Sequence, residues 1–298
     1  MQHELFDIGG APLLDVAGTS LFVRRWGKPD GRPLLFLHSL GPAASAELLA
    51  PGVAPLADAG WSVAAPDMPG FGESPPIEVD GYRAERLADL AWSIADGLGW
   101  DRLALAGHSW GGSVAVHAAA ARPERVRALV LVDSGHIDYA DQPGPRLDET
   151  LDELTDKMEA ARVRPKDRAE VASDLGLPID DPVVDAYMAG LIEDGAGGLV
   201  SRTTGASRAK AMYHLMRARQ SDQWAALAAA EFPILLLLAT KPDDLRTTNA
   251  AAAARFGAAV PRADIRFVEG ATHSLITDLR DEFGATVRDW LSSLTRRD

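Results

Sequence analysis

The sequence predicts an α/β fold: a doubly wound, mostly parallel sheet that carries a helical insertion. Three observations predict it. Short apolar runs alternate with helical patterns, several of those runs are near-continuous Val, Leu, Ile and Ala, and the alternation lapses over one long internal stretch. Continuous apolar strands are what a sheet needs when helices cover both of its faces. A β-α-β-α order implies parallel strands joined by right-handed crossovers.

In chain order the strand candidates are SLFVRRW (20–26), PLLFLHS (33–39), WSVAAPD (61–67), LALAGHS (103–109), RALVLVDS (127–134), PILLLLAT (233–240) and DIRFVEG (264–270). Between them, YRAERLADLAWSIADGLG puts Leu87, Leu90, Ala91, Ile94 and Leu98 on one helical stripe. GSVAVHAAAAR (112–122) runs on from a glycine turn and stops before Pro123, and FGATVRDWLSSL (283–294) is the last helix. From His136 to Arg219 no convincing strand occurs. That stretch holds helical pieces such as LDETLDELTDKMEAARV and AKAMYHLMRAR, punctuated by DQPGP, GLPIDDP and DGAGG. A structureless loop of that length does not suit a compact fold. The expected division is therefore a core in two parts, 1–135 and 220–298, with a helical insertion at 136–219 over one edge of the sheet.

Composition narrows the function classes. With 298 residues, 47% hydrophobic and 24% charged, the chain reads as an ordinary soluble protein with a substantial core. A formal charge of −13 argues against a nucleic-acid partner, which needs a basic face, and favours solubility. The chain has no cysteine, which removes disulfides and thiolate metal sites and fits a reducing compartment. MQHELFDIGG lacks the basic and apolar regions of a secretory signal, and ILLLLA is far too short to span a membrane. A cytoplasmic protein acting on a small molecule is expected. No His/Asp/Glu set has metal-ligand spacing, so neither a metal nor an organic cofactor is expected.

The chemistry centres on GHSWGG (107–112), where a serine stands between glycines as a strand hands over to a helix. Gly-x-Ser-x-Gly in that setting projects the Ser109 hydroxyl above the sheet. The following N–H, that of Trp110, opens a helix, where donors point outward and the dipole favours an anion. A phosphate loop is the rival reading, but neither the Gly-Lys-Ser/Thr ending nor the Gly-x-Gly-x-x-Gly spacing is present.

Across nearly its whole length the chain resembles the α/β-hydrolase superfamily. FLHSLGP resembles the His-Gly-x oxyanion loop, APDMPGFGES the loop after the next strand, GHSWGG the nucleophile elbow, and EGATHS the segment that carries the catalytic histidine. The resemblance implies that the insertion after LVDSG, following the sixth strand, is a cap domain. It implies His273 as the base, a role suited to a side chain that titrates near neutrality. It points to Leu40 as the second oxyanion donor beside Trp110, although Ser39 replaces the usual glycine. For the acid it points to the loop after PILLLLAT, hence Asp243, with Asp133 after LVLV as the alternative and Asp244 read as a helix cap. The implied activity is cleavage of carboxylic esters by a serine hydrolase. Carbon–carbon bond hydrolases are the alternative, because HSLGP keeps their Gly41–Pro42 step; another triad hydrolase or a non-catalytic binder follows. Of the other histidines, His38 and His108 read as structural, His3, His117 and His214 lack motif context, and His136 edges the insertion. Asp67 reads as a brace for its loop. Arg217 and Arg219 are either a solvated helix face or a greeting for an anionic substrate, and Met212, Leu215 and Met216 read as core of the insertion.

Overall fold

The computed structural model describes residues 13–16, 18–141 and 147–294. The opening decapeptide, His3 and the centre of DQPGP lie outside the described residues. The first half of the chain forms β1 (Leu13–Val16), β2 (Thr19–Trp26), β3 (Arg32–Leu37), α1 (Ala50–Asp58), β4 (Trp61–Pro66), α2 (Ala84–Gly97), β5 (Leu103–His108), α3 (Trp110–Ala121) and β6 (Val126–Val132). Then come α4 (Leu151–Ala160), α5 (Arg168–Leu175), α6 (Pro182–Ala189), β7 (Leu191–Glu193), β8 (Leu199–Ser201), α7 (Gly205–Leu215) and α8 (Trp224–Ala229). The chain finishes its sheet and helices with β9 (Ile234–Ala239), α9 (Asp243–Ala259), β10 (Ala263–Val268), α10 (Leu275–Asp278) and α11 (Arg280–Leu294).

Each strand candidate became a strand. Eight strands form one sheet in the order β1-β2-β4-β3-β5-β6-β9-β10. From β4 to β10 neighbours run parallel, and β1 and β2 join antiparallel at one edge. The apolar runs are continuous because alternate residues serve two cores. In β3, Leu35 and Leu37 pack with α2 and α3, whereas Leu34 and Phe36 pack with α1 and α11. In β9, Leu236 and Leu238 take the first side, Leu235 and Leu237 the second. Each fully buried leucine contributes about 2 kcal/mol of apolar burial, so a polar residue anywhere in β9 would cost one core or the other.

The stretch between β6 and α8 is mainly helical, with one correction. LIE and LVS pair antiparallel as β7 and β8, in a stretch whose sequence shows no convincing strand. The helix α6 stops at Gly190, where a Cβ would lie 2.4 Å from the Ala43 carbonyl oxygen. The hairpin is closed by Asp194, whose carboxylate accepts the Ala196 and Gly198 N–H groups. A small apolar cluster of Val171, Ala172, Val184 and Leu191 packs on Ala43. Ser201 Oγ also donates to the Pro42 carbonyl, and Arg280 grips Asp181 with two bonds of 3.1 Å. The stretch is therefore seated on the loop that follows β3. Among the described residues no helix is long and apolar enough to cross a membrane.

Candidate active site

Six loops meet at the C-terminal ends of the parallel strands, where ligands bind in open α/β sheets. The glycines of GHSWGG are there for close approach. A Cβ on Gly107 would sit 2.3 Å from the Gly111 oxygen, and one on Gly111 would sit 2.2 Å from the Leu37 oxygen. The helix α3 can thus drive its first turn against the end of β3. Ser109 takes up the bend with φ 53° and ψ −120°, at a strain of roughly 1–3 kcal/mol. That strain is balanced by bonds to its own backbone. Its N–H donates to the Val132 oxygen at 3.0 Å, and its carbonyl accepts from Gly112, Ser113 and the Ser134 hydroxyl.

His273 arrives on the loop after β10. Its Nε2 lies 2.8 Å from Ser109 Oγ and its Nδ1 2.6 Å from Asp133 Oδ2. The loop is clamped from within the elbow: His108 Nε2 donates to the His273 carbonyl at 2.7 Å. Burial, and then the neighbouring His273 ring, lower the His108 pKa to about 3, so the clamp is a neutral imidazole at neutral pH.

The structure brings Asp133, not Asp243, to the histidine. Asp133 is buried directly after β6 with φ 47°. Burial alone would raise its pKa, but the His273 hydrogen bond and charge, with the Ala239 N–H, hold the carboxyl below its ordinary value. Asp243 is the first residue of α9, its side chain 86% exposed and bonded to Lys241 at 3.0 Å. The helix begins immediately after Pro242, so Asp243 is turned to solvent before it can reach inward. Nor does Asp244 cap this helix. Pro242 occupies the N-cap, and Asp244 bonds the adjacent Leu245 N–H from within the first turn.

Leu40 and Trp110 are both buried beside the elbow. Met68 N–H donates to His38 Nε2 at 2.9 Å, which leaves Nδ1 as the protonated nitrogen facing the Ser39 carbonyl at 2.7 Å. A trans peptide points its N–H opposite its C=O, so His38 fixes the direction of the Leu40 N–H by holding the Ser39 oxygen. Among the described non-glycine residues only Ser109 and Asp133 have positive φ. The serine at position 39 therefore needs no glycine-only conformation. Asp67 braces the next loop by accepting the Ala46 and Glu73 N–H groups.

Several neighbours carried no sequence signal. The Tyr139 phenol lies beside the hydroxyls of Ser134, Ser109 and Ser113, and burial pushes its pKa up. Arg208 of α7 bonds the Leu40 carbonyl at 3.4 Å, while its buried Nη1 has no hydrogen-bond partner. Arg217 and Arg219 are engaged elsewhere, the first over the Tyr213 ring and the second with Asp138 and Asp141. Leu215 and Met216 are buried and Met212 packs against the core. Size does not mark the reactive centre. A cavity of about 1020 Å³ opens at the opposite end of the strands, among Arg32, Trp61, Arg127 and Phe232, and holds no nucleophile–base pair.

A family model for the α/β-hydrolase fold matches residues 32–175. Lipase LipV of Mycobacterium tuberculosis is 37% identical over 132 residues, 42% of this chain and 46% of its own length. A 2-hydroxy-6-oxononadienedioate/2-hydroxy-6-oxononatrienedioate hydrolase of Dechloromonas aromatica is 38% identical over 103 residues, 34% of this chain and 36% of its own. The chain thus spans less than half the length of these curated relatives. The crystal structure of E-2-(acetamidomethylene)succinate hydrolase superposes with a TM-score of 0.75 at 23% identity, covering 94% of this chain and 98% of that one. Its strand order, its glycine-framed elbow and these likenesses together show that the chain has the α/β-hydrolase fold.

Proposed function

We propose that the chain is a serine hydrolase that cleaves carboxylic esters of small molecules through an acyl-enzyme. The observation that carries this reading is the continuous hydrogen-bonded line Asp133–His273–Ser109, with links of 2.6 and 2.8 Å. His273 Nε2 takes the Ser109 proton as Oγ attacks the carbonyl, and Asp133 holds Nδ1–H and stabilises the imidazolium. The Trp110 and Leu40 N–H groups receive the tetrahedral oxyanion. His273 then protonates the leaving alcohol and draws a proton from water, which releases the acid and regenerates Ser109. The stretch over 136–219 serves as the cap that shapes the acyl pocket.

Ser109→Ala is expected to lower short-chain nitrophenyl ester hydrolysis by about 10⁴-fold or more, because the nucleophile is gone. Turnover that survives the substitution removes Ser109 from the reaction. A non-catalytic binder would also refuse stoichiometric fluorophosphonate labelling at Ser109.

One observation favours a second reading, carbon–carbon bond hydrolysis of a ring-cleavage dienoate. The Arg208 guanidinium bonds the Leu40 carbonyl but keeps a buried Nη1 without a hydrogen-bond partner; it offers charge to a carboxylate, the group a dienedioate carries, and a guanidinium recognises carboxylates well. Parallel assays with a ring-cleavage dienoate and a neutral ester separate the two.

A further inference from the structure

The acid of the proposed triad does not stand alone. Its Oδ2 faces His273, and its Oδ1 accepts two donors, the Ala239 N–H at 3.0 Å and Asn249 Nδ2 at 2.8 Å. Asn249 projects from α9 and is 2% exposed. It shares the buried face of that helix with Ala252, Ala253 and Phe256. An amide on an apolar stripe is costly unless every valence is met. Here they are. The second Nδ2 hydrogen goes to the Ala239 carbonyl at 3.2 Å, and Oδ1 meets His136 Nε2 at 3.1 Å. Turning the amide over would press its oxygen against the Asp133 carboxylate and the Ala239 carbonyl, and would set its N–H groups against the His136 donor. The Asp133 carboxylate and the Ala239 carbonyl, which can only accept, thus decide which way the amide points, and the buried His136 completes the set at Oδ1.

We propose that Asn249, braced at its Oδ1 by His136, is the positioning residue of Asp133, pinning Oδ1 so that Oδ2 alone addresses His273. The inference rests on reading Ser109, His273 and Asp133 as the catalytic line. It assigns a task to two buried polar residues that ester chemistry itself does not use. It also gives a reason for the acid to stand after β6: α9 fills the ground behind the β9 loop with an amide donor rather than a carboxylate.

Fluorophosphonate labelling provides the test, because its rate reports Ser109 reactivity without knowledge of the natural substrate. The rate is measured from pH 5 to 9 for the wild type, Asn249→Ala and His136→Phe. Asn249→Ala is expected to slow labelling about 10- to 100-fold. With one donor lost, Asp133 concentrates its charge on His273, so the acid limb of the profile moves to higher pH. The other titratable groups around the line are His108, His136 and Tyr139, and of these only His136 bonds Asn249 directly and loses that bond in Asn249→Ala. His136→Phe leaves the amide its bonds to Asp133 and Ala239 but removes the brace at its Oδ1, and a smaller loss of the same sign is expected. Labelling within twofold of wild type and an unmoved acid limb in both variants overturn the proposal. Should Asn249→Ala fail to fold, the same criteria applied to His136→Phe decide it. A folded wild type that refuses the label defeats the catalytic reading instead, so the two failures are distinguishable.

Discussion

The chain carries an aspartate shortly after β6 and another shortly after β9, yet the two are treated in opposite ways. After β6, Asp133 adopts a left-handed backbone, turns inward and is 4% exposed. Its two oxygens collect an imidazole, an amide and a backbone N–H. After β9, three residues lead into α9, and Asp243 at its start faces water beside Lys241. The difference teaches that an acid of this kind is made by its donors. A carboxylate can be buried and ionised only where hydrogen bonds replace its hydration, and only the β6 loop supplies them.

The largest effect expected from this contrast is that of Asp133→Asn. The amide fits the space but cannot accept from His273 Nδ1–H as a charged partner, which sets the wrong tautomer and leaves the imidazolium unsupported. Hydrolysis of a nitrophenyl ester should fall about 10⁴-fold, with KM little changed. A loss below tenfold would end the assignment of Asp133 as the acid.

That contrast also shows where sequence reasoning runs out. Seven of the eight strands, β2 and the six parallel ones, were legible in the sequence, the parallel ones because burial on both faces leaves unbroken apolar runs, whereas the short edge strand β1 was not. Ser109 was legible because the elbow needs glycines at fixed offsets, where a Cβ would come within about 2.3 Å of a neighbouring backbone oxygen, and His273 was legible through the resemblance of EGATHS. The carboxylate that meets His273 was not, because the choice turns on a positive φ at Asp133 and on the residue at which α9 starts. Neither quantity has a local pattern. Strands β7 and β8 escaped because three residues each carry no periodicity, and the turn that closes them depends on one aspartate side chain. Asn249 did leave a trace. It stands at i of an i, i+3, i+4, i+7 stripe with Ala252, Ala253 and Phe256, and a polar residue on such a stripe asks for a partner.

A second difference between buried and solvated loops concerns acid stability. Burial holds His38 near a pKa of about 4 and His108 near about 3, against 6.5 for a free imidazole. Below pH 6.5 the unfolded chain binds protons that these folded rings refuse, so their contribution is complete above 6.5 and shrinks as pH falls toward 4. At pH 5 each ring withholds about 2 kcal/mol. The urea midpoint should therefore fall clearly between pH 7 and pH 5, and His108→Phe should flatten the slope. A midpoint that is level over that range would show that these rings titrate as if exposed.

Asp243→Asn is expected to have the smallest effect, and it sharpens the contrast from the other side. The carboxylate's pKa is lowered by its hydrogen bond to Lys241 and then by that lysine's charge, but an exposed pair held in water is easily replaced by water. The nearest consequence is at the helix start, where a negative charge faces the positive end of the α9 dipole. Asp244 remains in the same turn to supply it. Ester hydrolysis should stay within about twofold of wild type, as for most surface substitutions, and the melting temperature should barely move. A tenfold or greater fall in kcat, with unchanged folding, would mean that the β9 loop swings Asp243 inward during turnover and that the acid is shared between the two loops.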